Sequence, residues 1–208
     1  MHEEKQLLQE QLSKAEQRSV LIGNRIPKDF FIASGTGESD ITVHAGSYHL
    51  ALKEAGIERC NIIVYSSILP GIANEIEIPQ DLVHGSVMET IMATANSEKG
   101  QRATAGIIIG WLFDRNTGKK YGGLVCEYNG SSTEDEARES LKASLKELYQ
   151  NGFFERFDIG DVKIMTKSFI PEKRFGTALV ALCFVNYSYP VLGISDGQDA
   201  AGRTINYS

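Results

Sequence analysis

Asn61-Ile-Ile-Val-Tyr-Ser66-Ser67-Ile-Leu-Pro70-Gly71 is the stretch around which the chain is organised. Its β-branched run predicts a buried strand, and the Pro-Gly pair predicts a fixed bend directly after it. Two adjacent serines stand between the strand and the bend. Because a serine hydroxyl can attack the carbonyl of the residue before it, the Ser66–Ser67 peptide is a candidate for chemistry on the backbone itself.

Backbone chemistry at the serine pair would turn the amide into an ester through a tetrahedral oxyanion. This step needs a tightly held peptide and a hydrogen-bond donor for the oxyanion. Elimination would then release a carboxylate, and hydrolysis of the dehydroalanine would give ammonia and a pyruvoyl group at residue 67. The alternative is an ordinary strand-to-turn junction, which is the commoner context for two such serines. The pair alone leaves both interpretations open.

The bulk composition fits one globular domain. The chain has 208 residues, of which 42% are hydrophobic and 23% charged, which is enough to bury a sizeable core. Its net charge of −6 argues against a nucleic-acid partner, and no apolar run approaches the roughly 20 residues of a membrane span. Three scattered cysteines without CxxC spacing, together with an N-terminus that lacks a secretion signal, predict a cytoplasmic protein with reduced thiols.

Strand and helix patterns follow one another along the chain. Hairpin-like strand pairs with a few amphipathic helices predict an α+β fold, in which helices pack on largely antiparallel sheet. The last helix has the clearest start, because Ser131-Ser-Thr-Glu-Asp-Glu136 offers an N-cap and acids in the first turn. Helices are predicted at 3–20, 47–56 and 131–150, and strands at 28–34, 57–65, 104–113, 121–128, 162–169 and 175–187.

These patterns predict three parts of the chain. Residues 1–26 form an N-terminal helical extension, whose thin apolar stripe favours peripheral docking. Residues 27–190 form the main domain. Residues 191–208, which include a run of glycine, serine and aspartate, are predicted to be a loose tail.

Two polar residues within apolar strands are candidates to assist the reaction at the serine peptide. Asn61 lies six residues before Ser67, and its side-chain amide can donate to a nearby carbonyl. Glu127 lies within Leu124-Val-Cys-Glu-Tyr128, where an apolar setting would favour the protonated acid near neutral pH. The alternative for Glu127 is an outward-facing strand residue, and the pattern does not decide between the two.

Several of these motifs together resemble the pyruvoyl-dependent arginine decarboxylases. The resemblance covers about residues 28 to 188, most of the chain. Its most specific part is Asn61 followed by Ser66-Ser67-Ile-Leu-Pro70 and, later, Gly123-Leu-Val-Cys-Glu-Tyr128. It also includes Gly35-Thr-Gly-Glu-Ser39 and Ala55-Gly-Ile57.

The resemblance implies a four-layer αββα sandwich, a homotrimer with active sites between subunits, and self-cleavage between Ser66 and Ser67. The covalent pyruvoyl cofactor would come from Ser67, Asn61 would assist processing, and Glu127 would be the proton donor. A Schiff base between the pyruvoyl ketone and the α-amine of a small amino-acid substrate would accept the electrons left as carbon dioxide departs. For L-arginine the product would be agmatine.

Substrate recognition is the point at which this chain departs from that family. The family often carries an acid in the helix before the cleavage strand, placed to meet the guanidinium, whereas the matching residue here is His49. A neutral imidazole cannot form a bidentate pair with a guanidinium, so another acid would have to supply the charge. The residues expected to bind the substrate are His49, Glu58, Cys60, Ile68, Glu38 and Asp40.

Two other functions remain open at this stage. A decarboxylase of another amino acid is compatible with His49, and an uncut trimer could serve as a non-catalytic binding or regulatory subunit. A phosphate site is not predicted, because Gly35-Thr-Gly-Glu38 lacks the third glycine and the Lys-Ser/Thr ending of such loops. A metal site is not predicted either, because His44 and His49 lack the i, i+4 spacing that helical ligands use.

Overall fold

The computed structural model describes Gln6 and residues 18–196. This part of the chain falls into two compact units. One runs from Pro27 to Tyr187, and the other is formed by the residues on either side of it. In the described residues, no helix is both long enough and apolar enough to cross a membrane.

The strands and helices are distributed along the whole described range. The strands are β1 (Arg18–Ile22), β2 (Ile26–Ser39), β3 (Asn61–Val64), β4 (Ile68–Pro70), β5 (Asn74–Glu75), β6 (Val87–Glu98), β7 (Ala103–Asp114), β8 (Lys120–Gly130), β9 (Phe157–Phe169), β10 (Phe175–Ser188) and β11 (Val191–Asp196). A π-helical turn at Val43–Tyr48 continues into helix α1 (His49–Glu54), and α2 spans Glu134–Gly152.

Two sheets build the central unit. The first sheet has five strands in the order β3-β6-β10-β2-β5. In it β6 and β10 are antiparallel, while the short strands β3 and β5 run parallel to their neighbours. The second sheet has four strands in the order β4-β8-β7-β9, and all its pairs are antiparallel. The α+β class with largely antiparallel sheet is therefore confirmed.

Three apolar clusters show how these elements are layered. The largest contains side chains from both sheets, among them Ile91 and Val180 of the first and Ile107 and Val125 of the second, so the sheets face one another. A second cluster joins the far face of the first sheet to α1 and the turn before it. A third joins the far face of the second sheet to α2. This helix–sheet–sheet–helix order is consistent with the expected sandwich.

Glycines on the outer sheet faces allow both helical segments to approach closely. A Cβ atom at Gly35 would lie 2.1 Å from the backbone oxygen of Ala51 in α1. A Cβ atom at Gly110 would lie 3.0 Å from a methyl group of Leu145 in α2. Larger residues at these positions would push the helices away, so Gly35 in particular is required by close packing rather than by a bound phosphate.

The predicted helix at 131–150 is confirmed, and its start has the expected chemistry. Thr133 caps the helix, accepting from the Glu136 amide while the Glu136 carboxylate accepts from the Thr133 amide. This reciprocal capping box satisfies two backbone donors that the helix itself cannot satisfy.

Both ends of the described chain depart from expectation. Residues 18–20 were expected to be helical, but Arg18–Ile22 is strand β1. The tail was expected to be loose from residue 191, but Val191–Asp196 is strand β11, which pairs antiparallel with β1. Each strand gives the other the backbone partners that neither sequence reveals alone, which is why a local pattern misses both. The rest of the predicted helix, apart from Gln6, and residues 197–208 lie outside the described residues.

Candidate active site

The serine pair lies where the chain crosses from one sheet to the other. β3 is an edge strand of the first sheet, and β4 is an edge strand of the second. The segment Tyr65–Ser67 is all that joins them. The strand and bend predicted from the sequence are both present, but they belong to different sheets. The prediction that the strand is buried is wrong, because β3 is an edge strand with three of its four residues exposed. The Ser66–Ser67 peptide is therefore held from two sides.

The upstream side is fixed by β6. The backbone N–H of Tyr65 donates to the carbonyl oxygen of Thr90 at 2.7 Å. The hydroxyl of Thr90 donates to the carbonyl oxygen of Ile63 at 3.3 Å. The Tyr65 ring packs against Phe184, with ring centroids 6.2 Å apart. These contacts fix the end of β3 and Tyr65, the residue directly before Ser66.

The downstream side is fixed by β8. The backbone N–H of Val125 donates to the carbonyl oxygen of Ser67 at 3.0 Å, and the next residue, Ile68, lies opposite Leu124 in the ladder. Ser66 itself is exposed and Ser67 is half-buried. The peptide thus remains accessible while the residues on both sides of it are held.

Glu127 meets Ser67 because of strand alternation in β8. Val125 packs into the core between the sheets, and Glu127, two residues later, points to the same face. The Ser67 hydroxyl donates to the two carboxylate oxygens of Glu127, at 2.7 and 3.0 Å. The structure therefore brings together two residues that are 60 positions apart. The expected apolar surroundings are not present within one chain, since the Glu127 side chain is exposed at the open end of the sheets.

Cys126, the neighbour of Glu127, carries a thiol, which is a second side chain near Ser67 that could act as a nucleophile. It faces α2 and is buried in the third apolar cluster. Burial, and secondarily the negative charge of Glu127, raise the pKa of the Cys126 thiol to about 11. The thiol is therefore neutral at physiological pH and a poor nucleophile. Ser67 remains the candidate nucleophile of the site.

Asn61 is positioned differently from the expectation. Its side-chain amide donates to the carbonyl oxygen of Gly85 at 2.9 Å, and its backbone N–H donates to Ser86. Gly85 has a φ of 82°, a left-handed conformation that glycine adopts without strain. In the described contacts, Asn61 thus anchors the start of β3 to the loop before β6, and it does not bond to the serine peptide.

His49 lies in a separate helical region. Together with four other residues it lines an open cavity of about 400 Å³; these are His44, Ala45, Tyr48 and Leu52. The rings of His44 and Tyr48 stack with centroids 5.6 Å apart, and burial raises the pKa of the Tyr48 hydroxyl. All the lining residues come from the π-helical turn and α1, so the cavity contains neither the serine peptide nor a carboxylate.

The acids expected to replace the missing charge are engaged elsewhere. A Glu38 carboxylate oxygen accepts from the backbone N–H groups of Glu172 and Lys173, at 2.8 and 3.3 Å. Asp40 accepts from the backbone N–H of Arg174 at 3.1 Å. Both carboxylates therefore hold the turn between β9 and β10. Backbone amides account for one oxygen of each carboxylate, and the contact of Glu38 and Asp40 with a substrate guanidinium stays a prediction.

The remaining substrate-binding candidates lie nearer the crossing. Glu58 contacts Arg59 at 3.7 Å. Cys60 is buried, with its sulfur 3.4 Å from the Ser86 hydroxyl. Ile68 directly follows the serines and is exposed. Of these three, only Ile68 adjoins the reacting peptide, and the roles of all three in substrate binding stay predictions.

Sequence reasoning missed the groups that hold the peptide in place. Thr90 is a fully buried polar residue within β6, in a region for which the sequence predicted neither a helix nor a strand. The Val125 and Ile68 contacts are made by backbone atoms, so they cannot be predicted from the residue types at these positions. A threonine inside an apolar strand was the one available signal, since a buried hydroxyl requires a partner.

Comparison with known proteins gives a consistent result. Residues 29–189 match the family model described as pyruvoyl-dependent arginine decarboxylase. The relative from Chlamydia abortus, named pyruvoyl-dependent arginine decarboxylase AaxB, is 32% identical over 192 residues, covering 79% of this chain and 94% of the relative. Proteins named pyruvoyl-dependent arginine decarboxylase from Thermococcus kodakarensis and Methanopyrus kandleri are 27% and 30% identical, covering 77% and 75% of this chain and 97% and 95% of their own lengths.

Proposed function

Because this chain belongs to the pyruvoyl-dependent arginine decarboxylase family, we propose that it cuts itself between Ser66 and Ser67 and then converts L-arginine into agmatine and carbon dioxide. The observation that carries this proposal is the hydrogen bond from the Ser67 hydroxyl to Glu127. It joins a candidate nucleophile to a candidate proton acceptor at a peptide held between two sheets.

Self-cleavage begins with the Ser67 hydroxyl. Its oxygen attacks the carbonyl carbon of Ser66, and the proton passes to the Glu127 carboxylate, which is already its hydrogen-bond partner. The amide bond then breaks, and the released nitrogen takes up that proton. Elimination from the ester releases Ser66 as a new carboxylate and leaves a dehydroalanine at residue 67. Water then hydrolyses this group, which releases ammonia and leaves residue 67 as the pyruvoyl end of the second chain.

The residues around Ser67 fit a pyruvoyl group derived from it. When formed, this group supplies a ketone that withdraws the electrons released as carbon dioxide departs. The Val125 N–H holds the carbonyl oxygen of residue 67, which stays in the chain after the cut. After the cut, Glu127 would take up a proton from solvent and could donate it at the position that the Ser67 hydroxyl occupies in the uncut chain. The same carboxyl group thus serves first as a base and later as an acid.

A homotrimer with sites between subunits accounts for the open surface around this peptide. The edge strands β3 and β4 and the start of β6 carry exposed apolar side chains: Ile63 at 46%, Val64 at 56%, Ile68 at 57% and Val87 at 61% of full exposure. Such a cluster beside unpaired strand edges favours burial against another protein surface. A partner subunit placed there would give Glu127 the apolar surroundings that one chain lacks.

The proposed trimer also gives the cavity at His49 a role in substrate binding. That cavity lies in the helical layer of the first sheet, apart from Ser67, so it would serve the serine peptide of a neighbouring subunit. The stacked rings of His44 and Tyr48 offer an aromatic face, and a guanidinium binds to such faces by a cation–π interaction. Arginine remains the leading substrate on this basis, without a carboxylate at position 49.

A cytoplasmic location completes the proposal. Cys60, Cys126 and Cys183 are all free and buried. Buried unpaired thiols are typical of proteins that fold in a reducing compartment.

Intact mass spectrometry combined with substrate trapping tests this function. We expect two chains of residues 1–66 and 67–208, that is 66 residues and 208 − 66 = 142 residues. Borohydride in the presence of arginine should add the mass of a reduced arginine or agmatine adduct to the second chain. A single full-length chain that persists on prolonged incubation would instead indicate a non-catalytic subunit. A cut protein that releases carbon dioxide from another amino acid but not from arginine would overturn the substrate assignment.

A further inference from the structure

The carbonyl oxygen of Ser66 already has a hydrogen-bond donor in the uncut chain. The backbone N–H of Ile68 donates to it at 3.1 Å, which closes a three-residue turn centred on Ser67. Asp161 is the one non-glycine residue with positive φ among those the structure describes, so φ at Ser67 is negative. This is the inverse form of the turn, which is common at the ends of strands.

The Ile68 N–H is free to make this contact because the sheet does not use it. In an antiparallel ladder, opposed residues alternate between hydrogen-bonded and non-hydrogen-bonded pairs. Val125 donates to Ser67, and Ile68 lies opposite Leu124, so Ile68 and Leu124 form a non-hydrogen-bonded pair. The Ile68 N–H therefore points away from β8, towards the open side of the edge strand β4.

We propose that the Ile68 N–H is the oxyanion donor for self-cleavage, an inference that rests on the proposed function. When the Ser67 oxygen bonds to the carbonyl carbon of Ser66, the π electrons of that carbonyl move onto the oxygen facing Ile68. The carbon–nitrogen bond then breaks, the carbonyl reforms as an ester, and the hydroxyl proton ends on the Ser67 nitrogen. The donor contacts the atom on which charge develops.

Two features make this donor effective. Ser67 and Ile68 are held by β8 through the Val125 contact and the strand ladder, while Tyr65 is held by β6. The donor and the carbonyl are thus both fixed before the reaction, and little reorganisation is required as charge develops. The other expected donor, the Asn61 amide, has one bond committed to Gly85.

Substitution of Ile68 by proline tests the assignment. Proline removes the N–H, and it is tolerated at the first residue of an edge strand, which Ile68 is. The reference is Ile68→Val, which shortens the same side chain but keeps the N–H. In a time course of chain cleavage followed by intact mass, Ile68→Pro should cut on the order of a hundred- to a thousand-fold more slowly than Ile68→Val. Circular dichroism and thermal melting of both variants establish that they are folded.

A backbone ester at position 68 provides a second measurement, because proline also restricts the backbone of Ser67. Incorporating the α-hydroxy analogue of isoleucine replaces the N–H by oxygen and keeps the side chain, and the same slowing is expected. Equal cleavage rates for the ester and the unmodified chain would overturn the donor assignment while leaving self-cleavage established. If the unmodified chain and Ile68→Val both stay uncut, the proposed function itself fails.

Discussion

The sheet crossing at Ser66–Ser67 and the cavity at His49 differ in how completely one chain assembles them. At the crossing, hydrogen bonds join Tyr65 to β6, and Ser67 to β8 and to Glu127. At the cavity, two histidines and a tyrosine line an open space that no carboxylate enters. Groups placed by strand ladders are fixed by backbone hydrogen bonds, whereas the proposed recognition surface on a separate helical layer would need a second chain to bring it to a serine peptide. In this fold, reaction and recognition are therefore separable by mutation.

Ser67→Ala should have the largest effect on the crossing. It removes the attacking oxygen, so we expect a single uncut chain of 208 residues and complete loss of decarboxylation. Denaturing electrophoresis and intact mass measure both. The matched control is Ser66→Ala, which keeps the carbonyl under attack and should still be cut. Cleavage in Ser67→Ala would show that another residue is the nucleophile.

Glu127→Gln should have the next largest effect. The glutamine amide keeps the shape of the side chain but cannot accept or return a proton. General acid–base catalysis contributes about 10²- to 10⁴-fold in rate, and we expect a loss of that size. Carbon dioxide release should be measured per mole of cut chain, because this separates catalysis from any slowing of cleavage. Glu147→Gln, which removes an exposed acid of α2, is the control. Normal turnover by Glu127→Gln would assign the proton to a different group.

His49→Asp tests whether the cavity at His49 binds the guanidinium group of the substrate. A carboxylate there could form a charge-assisted pair with the guanidinium, and we expect KM for arginine to fall about ten-fold, as such hydrogen bonds are worth about 1.5–3 kcal/mol. Cleavage should be unaffected, because His49 lies apart from the crossing. Citrulline, which has no cationic end, provides the control and should show no gain. An unchanged KM for arginine would place the guanidinium elsewhere.

Thr90→Val should give the smallest effect on the crossing. The substitution keeps the β-branched shape but removes the hydroxyl that donates to Ile63. Loss of this hydrogen bond should lower the free energy of unfolding by about 1 kcal/mol. Cleavage should slow by a few-fold, as measured in a time course. The matched control is Thr94→Val on the same strand. The Thr94 hydroxyl is buried without a hydrogen-bond partner in the described structure, so its removal should leave cleavage unchanged and the melting temperature equal or higher.

The sequence was informative where a contact is local or a residue type is distinctive. The capping box of α2 could be read from a short motif, and short motifs located the serine pair and the acid at 127, although the local pattern left their roles open. The crossing between sheets could not, because β3 pairs with β6 and β4 with β8 through non-local ladders. The same limit hid the pairing of β1 with β11. It also hid the partners of Glu38 and Asp40, which are backbone amides more than a hundred residues away in sequence.

The strand order of the first sheet has a consequence for the mature protein. In the order β3-β6-β10-β2-β5, a cut after Ser66 leaves β2 and β3 on one fragment and β5, β6 and β10 on the other, so the two fragments interleave. Neither can leave without breaking backbone ladders in the sheet. Once unfolded, they would have to find each other in solution, so renaturation becomes bimolecular and dependent on concentration. After the proposed cut, the protein would be protected chiefly by the rate at which it unfolds, and the covalent link between its two halves would be available only for the first folding.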